Sequence, residues 1–260
     1  MLKFTHASAN MASVMSTSVA QEKAITLGHP SYVWRFGQER RLALVRRYVP
    51  LESKRILDVG CGIGTYVRQF RRYSSDVHGI DVEHERVKRG SDSLPNLSVA
   101  RGEDLPYADG TFDVVFLHEV IEHVDDDRLA LQEARRVTKE GGYIVIYAPN
   151  RLYPFETHGF YLGKRYIFKL CPLVNYLPNY LRRRFVPHVR VYLSSDLARL
   201  ASGLALSTVV HTYVYPGFDK IASRSPVIAS TLRQVLYFLE NTPLRVFGLS
   251  HFLVLQKTSE

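Results

Sequence analysis

A carboxylate followed by three glycines, each two residues apart, is the first place in this chain where chemistry could be done. The stretch is Ile56-Leu57-Asp58-Val59-Gly60-Cys61-Gly62-Ile63-Gly64-Thr65-Tyr66. Arg55 to Val59 has the length of a short buried parallel strand. Tyr66-Val67-Arg68-Gln69-Phe70 has helical spacing. Glycine lacks a Cβ, so each one lets the backbone turn sharply or approach a ligand closely. Strand, Gly-rich turn and helix together form a nucleotide cradle at the carboxyl end of a strand. The dinucleotide fingerprint Gly-x-Gly-x-x-Gly is not met, because Thr65 stands where the third glycine belongs and Gly64 comes one residue early. Asp58 would repel a pyrophosphate. It would attract an ammonium or a sulfonium.

A second acid stands at a matching place. Asp76-Val77-His78-Gly79-Ile80-Asp81 reads as a short strand that ends in a carboxylate, 17 residues past Gly64. That is where a fold of this type needs an acceptor for ribose hydroxyls. The plainer reading, an exposed loop acid, is less favoured at that distance from the glycines. Further on come Gly102-Glu103-Asp104-Leu105-Pro106-Tyr107-Ala108-Asp109-Gly110-Thr111-Phe112-Asp113-Val114-Val115, then a strand from Phe112 to Leu117 ending at His118-Glu119, then Val120-Ile121-Glu122-His123-Val124.

The first of these motifs resembles motif one of the class I S-adenosylmethionine methyltransferases, and within them the large family with the "LDVGCGxG" signature, similar to the ubiquinone-biosynthesis-type methyltransferases. Gly102 to Val115 is similar to that family's "GDAEDLPFxDGSFDVV", and Val120 to Val124 is like its "VLEHV". The resemblance runs in order from the first strand to Asn150. It implies a Rossmann-like methyltransferase fold, α/β and doubly wound, with a mostly parallel seven-stranded sheet. It implies S-adenosylmethionine as cofactor, held by Asp58, Gly60, Cys61, Gly62, Gly64, Asp81, Val82, Glu103, Asp104 and His118. In the family an acid reads the adenine amino group. Here Arg101 stands where the family has Asp, and Gly102 where it has Ala, so Glu103, Asp104 or backbone alone must read the ring. A leading helix over the cofactor is common in such enzymes, which would bring Tyr32 or Arg35 to it; packing of these aromatic and basic residues on the sheet edge is the equal alternative.

The elements needed to position these residues can be read off the pattern. An amphipathic helix is expected from His29 to Val49, closed by Pro50. Helices follow at Glu83 to Gly90 and Arg128 to Thr138, the latter capped by Asp125-Asp126-Asp127. Strands are expected at Leu97 to Arg101 and Tyr143 to Ala148. Alternating strands and helices argue a mostly parallel sheet covered on both faces. After Asn150 the rhythm breaks. Residues 151–190 are rich in aromatics, Pro and Arg, and read as a helical lid insertion after the fifth strand. Phe160 to Leu181 suits an interfacial helix, and equally a helical hairpin that covers the core. Ser194-Ser195-Asp196 reads as the cap of a helix from Leu197 to Ala201. Leu206 to Tyr215, Pro226 to Asn241 and Phe247 to Gln256 read as strand, helix and strand, the two strands forming an antiparallel pair at the sheet edge. The organisation expected is a flexible leader over 1–25 and a single domain over 26–260 carrying the lid.

The chain has 260 residues, is 46% hydrophobic and has only two cysteines, Cys61 and Cys171, so neither a disulfide framework nor a thiolate metal cluster is expected. Neither a secretory signal nor a membrane-spanning run is visible. A cytoplasmic protein is expected. The formal net charge of +9 is concentrated in two places: Arg35, Arg40, Arg41, Arg46 and Arg47, and then Arg151, Lys164, Arg165, Lys169, Arg182, Arg183, Arg184 and Arg190 against the single acid Glu156. Solvated helix faces, an anionic substrate, an anionic membrane surface met by the lid, and RNA all fit that pattern. Absence of an added RNA-binding module makes nucleic acid the weaker partner.

Methyl transfer from a sulfonium is an in-line displacement that asks mainly for positioning and exclusion of water. A neutral acceptor also wants a general base. His118, His123, His158 and His188 are candidates, with His158 beside Glu156 the most suggestive; no catalytic residue is assigned. Glu119-x-x-Glu122-His123 could hold a divalent ion, or pack and cap locally as in metal-free relatives; the metal-free reading is preferred. The function expected is methyl transfer to a small or lipid-like acceptor. The alternatives are an RNA methyltransferase and a non-catalytic S-adenosylmethionine-binding partner protein.

Overall fold

A computed structural model describes residues 33–259. The expected leader over 1–25 and Tyr32 lie outside the described residues. The chain forms two compact units, one of residues 31–154 and 190–260, the other of residues 155–189.

The larger unit is built on a seven-stranded sheet. In chain order its elements are α1 (Phe36–Tyr48), β1 (Ile56–Val59), α2 (Thr65–Phe70), β2 (Val77–Asp81), α3 (His84–Ser91), β3 (Leu97–Val99), β4 (Phe112–His118), α4 (Asp127–Val137) and β5 (Thr138–Pro149). These strands pair in parallel in the order β5-β4-β1-β2-β3. The chain winds outward from β1 to β3, then returns to the other side of β1 for β4 and β5. That reversal opens a crevice at the carboxyl ends of β1 and β4, the usual ligand place in such sheets.

Side chains alternate across the strands. Leu57, Val115, Leu117, Ile144 and Ile146 pack with Leu131, Ala134 and Val137 of α4. Ile56, Val114, Phe116 and Val145 face the other way and pack with Leu42 and Val45 of α1 and Val67 and Phe70 of α2. Both faces are therefore covered, which is why the central strands are apolar runs rather than alternating ones. Asp126 caps α4 by accepting from the Leu129 amide at 3.0 Å.

After residue 189 come α6 (Ser194–Ala201), β10 (Leu206–Val214), α7 (Asp219–Ala222), α8 (Pro226–Leu239), a 3-10 turn (Pro243–Phe247) and β11 (Ser250–Lys257). Strand β11 inserts between β5 and β10 and runs antiparallel to both. The α6 helix begins at Ser194, three residues before the expected start, and Asp196 accepts from the Leu193 amide at 2.9 Å from inside the first turn.

The smaller unit differs from the helical lid that the sequence suggests. It holds two short antiparallel pairs, β6 (Phe155–Glu156) with β9 (Cys171–Pro172) and β7 (Phe160–Leu162) with β8 (Arg165–Ile167). A 3-10 turn (Val174–Tyr176) and one helix, α5 (Asn179–Phe185), follow. The physical reason is at the turns. Gly163 has φ +61° between β7 and β8, which makes a hairpin where a helix over 160–181 would need continuous αR backbone, and Pro172 and Pro178 interrupt the rest.

Candidate functional site

The cradle is built by the turn from β1 into α2. Gly60 (φ +72°) and Gly64 (φ +79°) sit in the left-handed region. A Cβ on Gly60 would come within 2.4 Å of Val120 Cγ2, and one on Gly64 within 2.3 Å of Leu94 Cδ1. Backbone conformation and space both demand glycine there. The turn is stitched to β2 by the Cys61 amide, which donates to the Ile80 carbonyl at 2.8 Å, and by the Gly62 amide, which donates to Asp81 Oδ2 at 2.8 Å. Asp81 Oδ1 accepts from the Glu83 amide at 2.9 Å. Each oxygen of Asp81 thus keeps further acceptor capacity. The Cys61 thiol is buried, and burial together with Asp58 and Asp81 pushes its pKa up, so it stays a neutral packing group.

Asp58 and Asp81 are both buried, on neighbouring strands. Burial and the charge of Asp81 push the Asp58 carboxyl well above its ordinary range. A cation placed between the two acids would relieve that repulsion. Val82, directly after Asp81, exposes 48% of its surface, an unusual place for an apolar side chain beside buried acids.

The end of β4 forms the opposite wall, and its arrangement was not legible beforehand. Glu119 takes φ +55°, a strained conformation for a residue with a side chain. Arg41 reaches in from α1: its Nη1 donates to His118 Nε2 at 2.6 Å and lies 3.1 Å from Glu119 Oε1, and its Nη2 donates to Ser250 Oγ at 3.1 Å. Ser250 Oγ donates to the same Glu119 oxygen at 2.7 Å. Burial and the Arg41 charge lower the His118 pKa to about 3, so the ring is neutral and its Nε2 lone pair is committed to Arg41. Burial and the neighbouring Glu119 push the Glu122 carboxyl well above the usual carboxylate range. The following loop is pinned by Arg190, whose Nη2 donates to the Asp125 carbonyl at 2.7 Å, and by Tyr192, whose hydroxyl donates to the Ile121 carbonyl at 2.9 Å.

Tyr66, in the first turn of α2, packs its ring 4.7 Å from that of His118 and 5.0 Å from Trp34. Its hydroxyl is buried without a hydrogen-bond partner. A buried orphan hydroxyl is costly unless something completes it. Arg41, Tyr66 and Ser250 are thus the members that sequence reading missed, while Glu122, singled out as a possible ion ligand, packs here as a buried acid. Tyr66 had a usable signal, being the second residue past Gly64. Arg41 had none, since it looks like any cation on an amphipathic helix.

The adenine side resolves differently. Glu103 Oε1 accepts from the Asp125 amide at 2.8 Å, and Arg101 bridges it to Asp125, 2.5 Å from Asp125 Oδ2 and 3.4 Å from Glu103 Oε1. Asp104 is exposed. Arg35 is exposed at the start of α1, and Trp34 rather than Arg35 meets Tyr66.

In the smaller unit Glu156 is the hub. Its Oε2 is 2.6 Å from Arg182 Nη2, and its Oε1 accepts from the Thr157 and His158 amides at 2.9 Å each and meets His158 Nδ1 at 2.8 Å. Burial alone would raise its pKa, but His158 and Arg182 hold it down at about 2. Arg182 also donates to Asn175 Oδ1 at 3.1 Å and to the Val189 carbonyl at 2.7 Å. His188 has Nε2 at 3.3 Å from the His158 carbonyl, and burial lowers its pKa.

S-adenosylmethionine fits the larger unit's cradle. Two buried acids await a cation, and the Tyr66 hydroxyl lacks a partner.

Comparison with known proteins agrees. Residues 57–146 match the family model described as methyltransferase domain. The chain is 38% identical over 114 residues to norajmaline N-methyltransferase of Rauvolfia serpentina, covering 40% of this chain and 39% of that protein. It is 29% identical over 178 residues to a ubiquinone biosynthesis O-methyltransferase of Thiobacillus denitrificans, covering 65% and 71%. The match spans between 39% and 50% of the length of the three curated relatives ranked first. Among solved structures, the S-adenosylmethionine-dependent methyltransferase from Mesorhizobium loti shares the fold with TM-score 0.57 at 16% identity, over 83% of this chain and 96% of that one. Residues 57–146 are similar to methyltransferase domains, and the fold is the one shared by solved S-adenosylmethionine-dependent methyltransferases.

Proposed function

We propose that this chain transfers a methyl group from S-adenosylmethionine to a small or lipid-like acceptor. The observation that carries the reading is the pair of buried acids, Asp58 and Asp81, beside positive-φ glycines at the carboxyl end of β1. S-adenosylmethionine, when bound, supplies a methyl on a sulfonium, already activated for in-line displacement. The residues have positioning work to do. Asp81 uses its remaining acceptor capacity for the ribose hydroxyls. Asp58 faces the positive end of the ligand. Gly60, Cys61, Gly62 and Gly64 bring backbone close. Val82 offers an apolar edge to the adenine. Asp104, exposed, is better placed than Glu103 to read the adenine amino group, because Glu103 is spent on the Asp125 amide. His118 holds Arg41 in place and does not act as base, its lone pair being engaged and its pKa about 3.

A lipid-like acceptor is supported by residues 155–189. That unit exposes Leu162, Phe168, Leu170, Leu173 and Tyr180, together with Lys164, Arg165, Lys169, Arg183 and Arg184, while its single acid, Glu156, is buried. An apolar and basic surface without exposed acids suits an acceptor that is itself apolar and presented near an anionic surface. Relatives named for norajmaline N-methylation and ubiquinone biosynthesis favour a small acceptor over a nucleic acid.

The test is transfer of tritiated methyl from S-adenosylmethionine to a panel of phenols, amines, lipid extract and RNA. Label in an organic-extractable product is expected. Label appearing in RNA alone would overturn the acceptor class. Cofactor binding with no label in any acceptor would overturn catalysis.

A further inference from the structure

Helix α8 is turned inside out. Its sequence, Pro226–Leu239, contains one charge, Arg233, and that charge points into the protein. Arg233 Nε donates to the Gly217 carbonyl at 2.8 Å, its Nη2 lies 3.6 Å from Asp219 Oδ1, and its guanidinium carbon sits 3.9 Å from the centre of the Phe36 ring. Tyr237, also turned inward, donates to the Pro216 carbonyl at 3.0 Å and carries Arg40 on its ring. Only Ala229 of the helix is buried. The outward side chains are Val227 (76% exposed), Ile228 (56%), Val235 (56%) and Phe238 (69%). With 3.6 residues per turn these four fall within one arc of about 100°, with Thr231 among them. The 3-10 turn that follows exposes Leu244 and Phe247 as well.

We propose that this face docks on an anionic lipid bilayer, with α8 lying in the plane of the surface. The charges decide the occupant. Within 216–248 the exposed charged residues are Lys220, Arg224 and Arg245, all cations. The two acids of the segment, Asp219 and Glu240, are half-buried and paired with Arg233 and Arg40. Whole-chain net charge is +9. Pairing this face with the same face of a second copy would bring like charges together, whereas anionic headgroups would neutralise them. Of the four outward side chains of α8 only Phe238 has a ring that could stack on a base, and Val227, Ile228 and Val235 offer none, which disfavours RNA, whose single strands are held by successive aromatics. At 14 residues α8 is too short to span a bilayer, and no helix of the described residues is long and apolar enough to do so. Phe and branched aliphatics on one side with cations at the flanks is the pattern of an interfacial helix. This face belongs to the larger unit. The inference does not rest on methyl transfer.

The experiment is flotation of the whole chain with vesicles of phosphatidylcholine alone, and of an equal mixture of phosphatidylcholine and phosphatidylglycerol, without cofactor or acceptor. Wild-type chain should float with the mixed vesicles and hardly at all with the neutral ones. The double variant Val235→Ser/Phe238→Ser should lose roughly tenfold or more of that binding. Arg224→Glu/Arg245→Glu should abolish the preference for anionic vesicles. These side chains are exposed, so an unchanged thermal melt serves as the fold control. Failure of wild type to float overturns the proposal. So does equal flotation of the serine variant, which would assign the contact elsewhere, or a lipid-free dimer that the serine variant dissolves. Binding is read without turnover, so an inactive enzyme leaves the result standing.

Discussion

The sheet unit and residues 155–189 are held together by opposite means. In the sheet unit, two layers of hydrocarbon, from Leu57 to Leu255 on one face and from Leu42 to Val254 on the other, spread the stabilisation over many residues. In residues 155–189 the buried apolar set is only Val174, Val186 and Val189, and the organising contact is the buried Glu156–Arg182 pair with Asn175 and His158 around it. A unit this small buries too little hydrocarbon to be stable on that alone. A buried ion pair fixes geometry well but leaves a large uncompensated charge if one partner goes. The larger unit should therefore yield gradually to mutation and the smaller one at a single point.

The largest expected effect tests that contrast. Glu156→Ala strands Arg182 in the interior and should cost about 3–5 kcal/mol within residues 155–189. Hydrogen exchange should rise across 155–189 while β4 and β5 stay protected. Glu156→Leu combined with Arg182→Met should recover much of the loss; if the double variant is as exposed as the single, the ion pair is not the organising contact.

Acidification should separate the two regions by pH. Glu156 has its folded pKa lowered from 4.5 to about 2, so its stabilisation is complete above the unfolded value and is lost as pH falls from about 4.5 to 2. His118 is lowered from 6.5 to about 3 by burial and Arg41, so the unfolded chain binds the extra proton first and stability at the end of β4 falls from about pH 6.5 downward. Exchange at 116–122 should therefore rise at milder acid than exchange at 155–189. The reverse order would contradict the buried neutral state of His118.

A smaller effect is expected at the cradle. Gly64→Ala forces a side chain to φ +79° and against Leu94, costing about 1–3 kcal/mol in a urea melt. Leu94 can shift part of the way, which keeps this below the loss at Glu156. The smallest effect is expected from EDTA: methyl transfer should proceed at the same rate, because the site's positive charge comes from Arg41 and from the cofactor's own sulfonium. A loss of rate restored by magnesium would bring Glu119 and Glu122 back as ligands.

The same contrast explains what was readable in the sequence. Strand β1, its glycines and Asp81 are local patterns with a fixed spacing, and the parallel order of the sheet follows from the alternation of strands and helices. Residues 160–167 carry apolar and basic residues at a spacing that suits a helix or a hairpin alike; Gly163 was the deciding residue, and its positive φ is visible only in the fold. Glu156 and Arg182 lie 26 positions apart, and Arg41 and His118 lie 77 apart. No local period marks such pairs, and an Arg on a helix face looks the same whether it meets water or a histidine. The basic clusters likewise dissolved in part: Arg182, Arg190 and Arg41 are spent on internal partners, while Lys164, Arg165 and Lys169 remain exposed.

The most direct test of the central claim is a thermal melt of wild type and Asp81→Ala with S-adenosylmethionine and with its demethylated product. At ~100 times the dissociation constant, a ligand adds roughly 2.7 kcal/mol, which for a chain of this size raises Tm by about 5–10 °C. The account predicts such a rise for wild type with both ligands, and a rise largely lost in Asp81→Ala, read against that variant's own unliganded Tm, which falls because the Gly62 and Glu83 amides lose their acceptor. Absence of a shift in wild type at millimolar ligand, or an equal shift in the variant, would contradict the placing of the cofactor between Asp58 and Asp81.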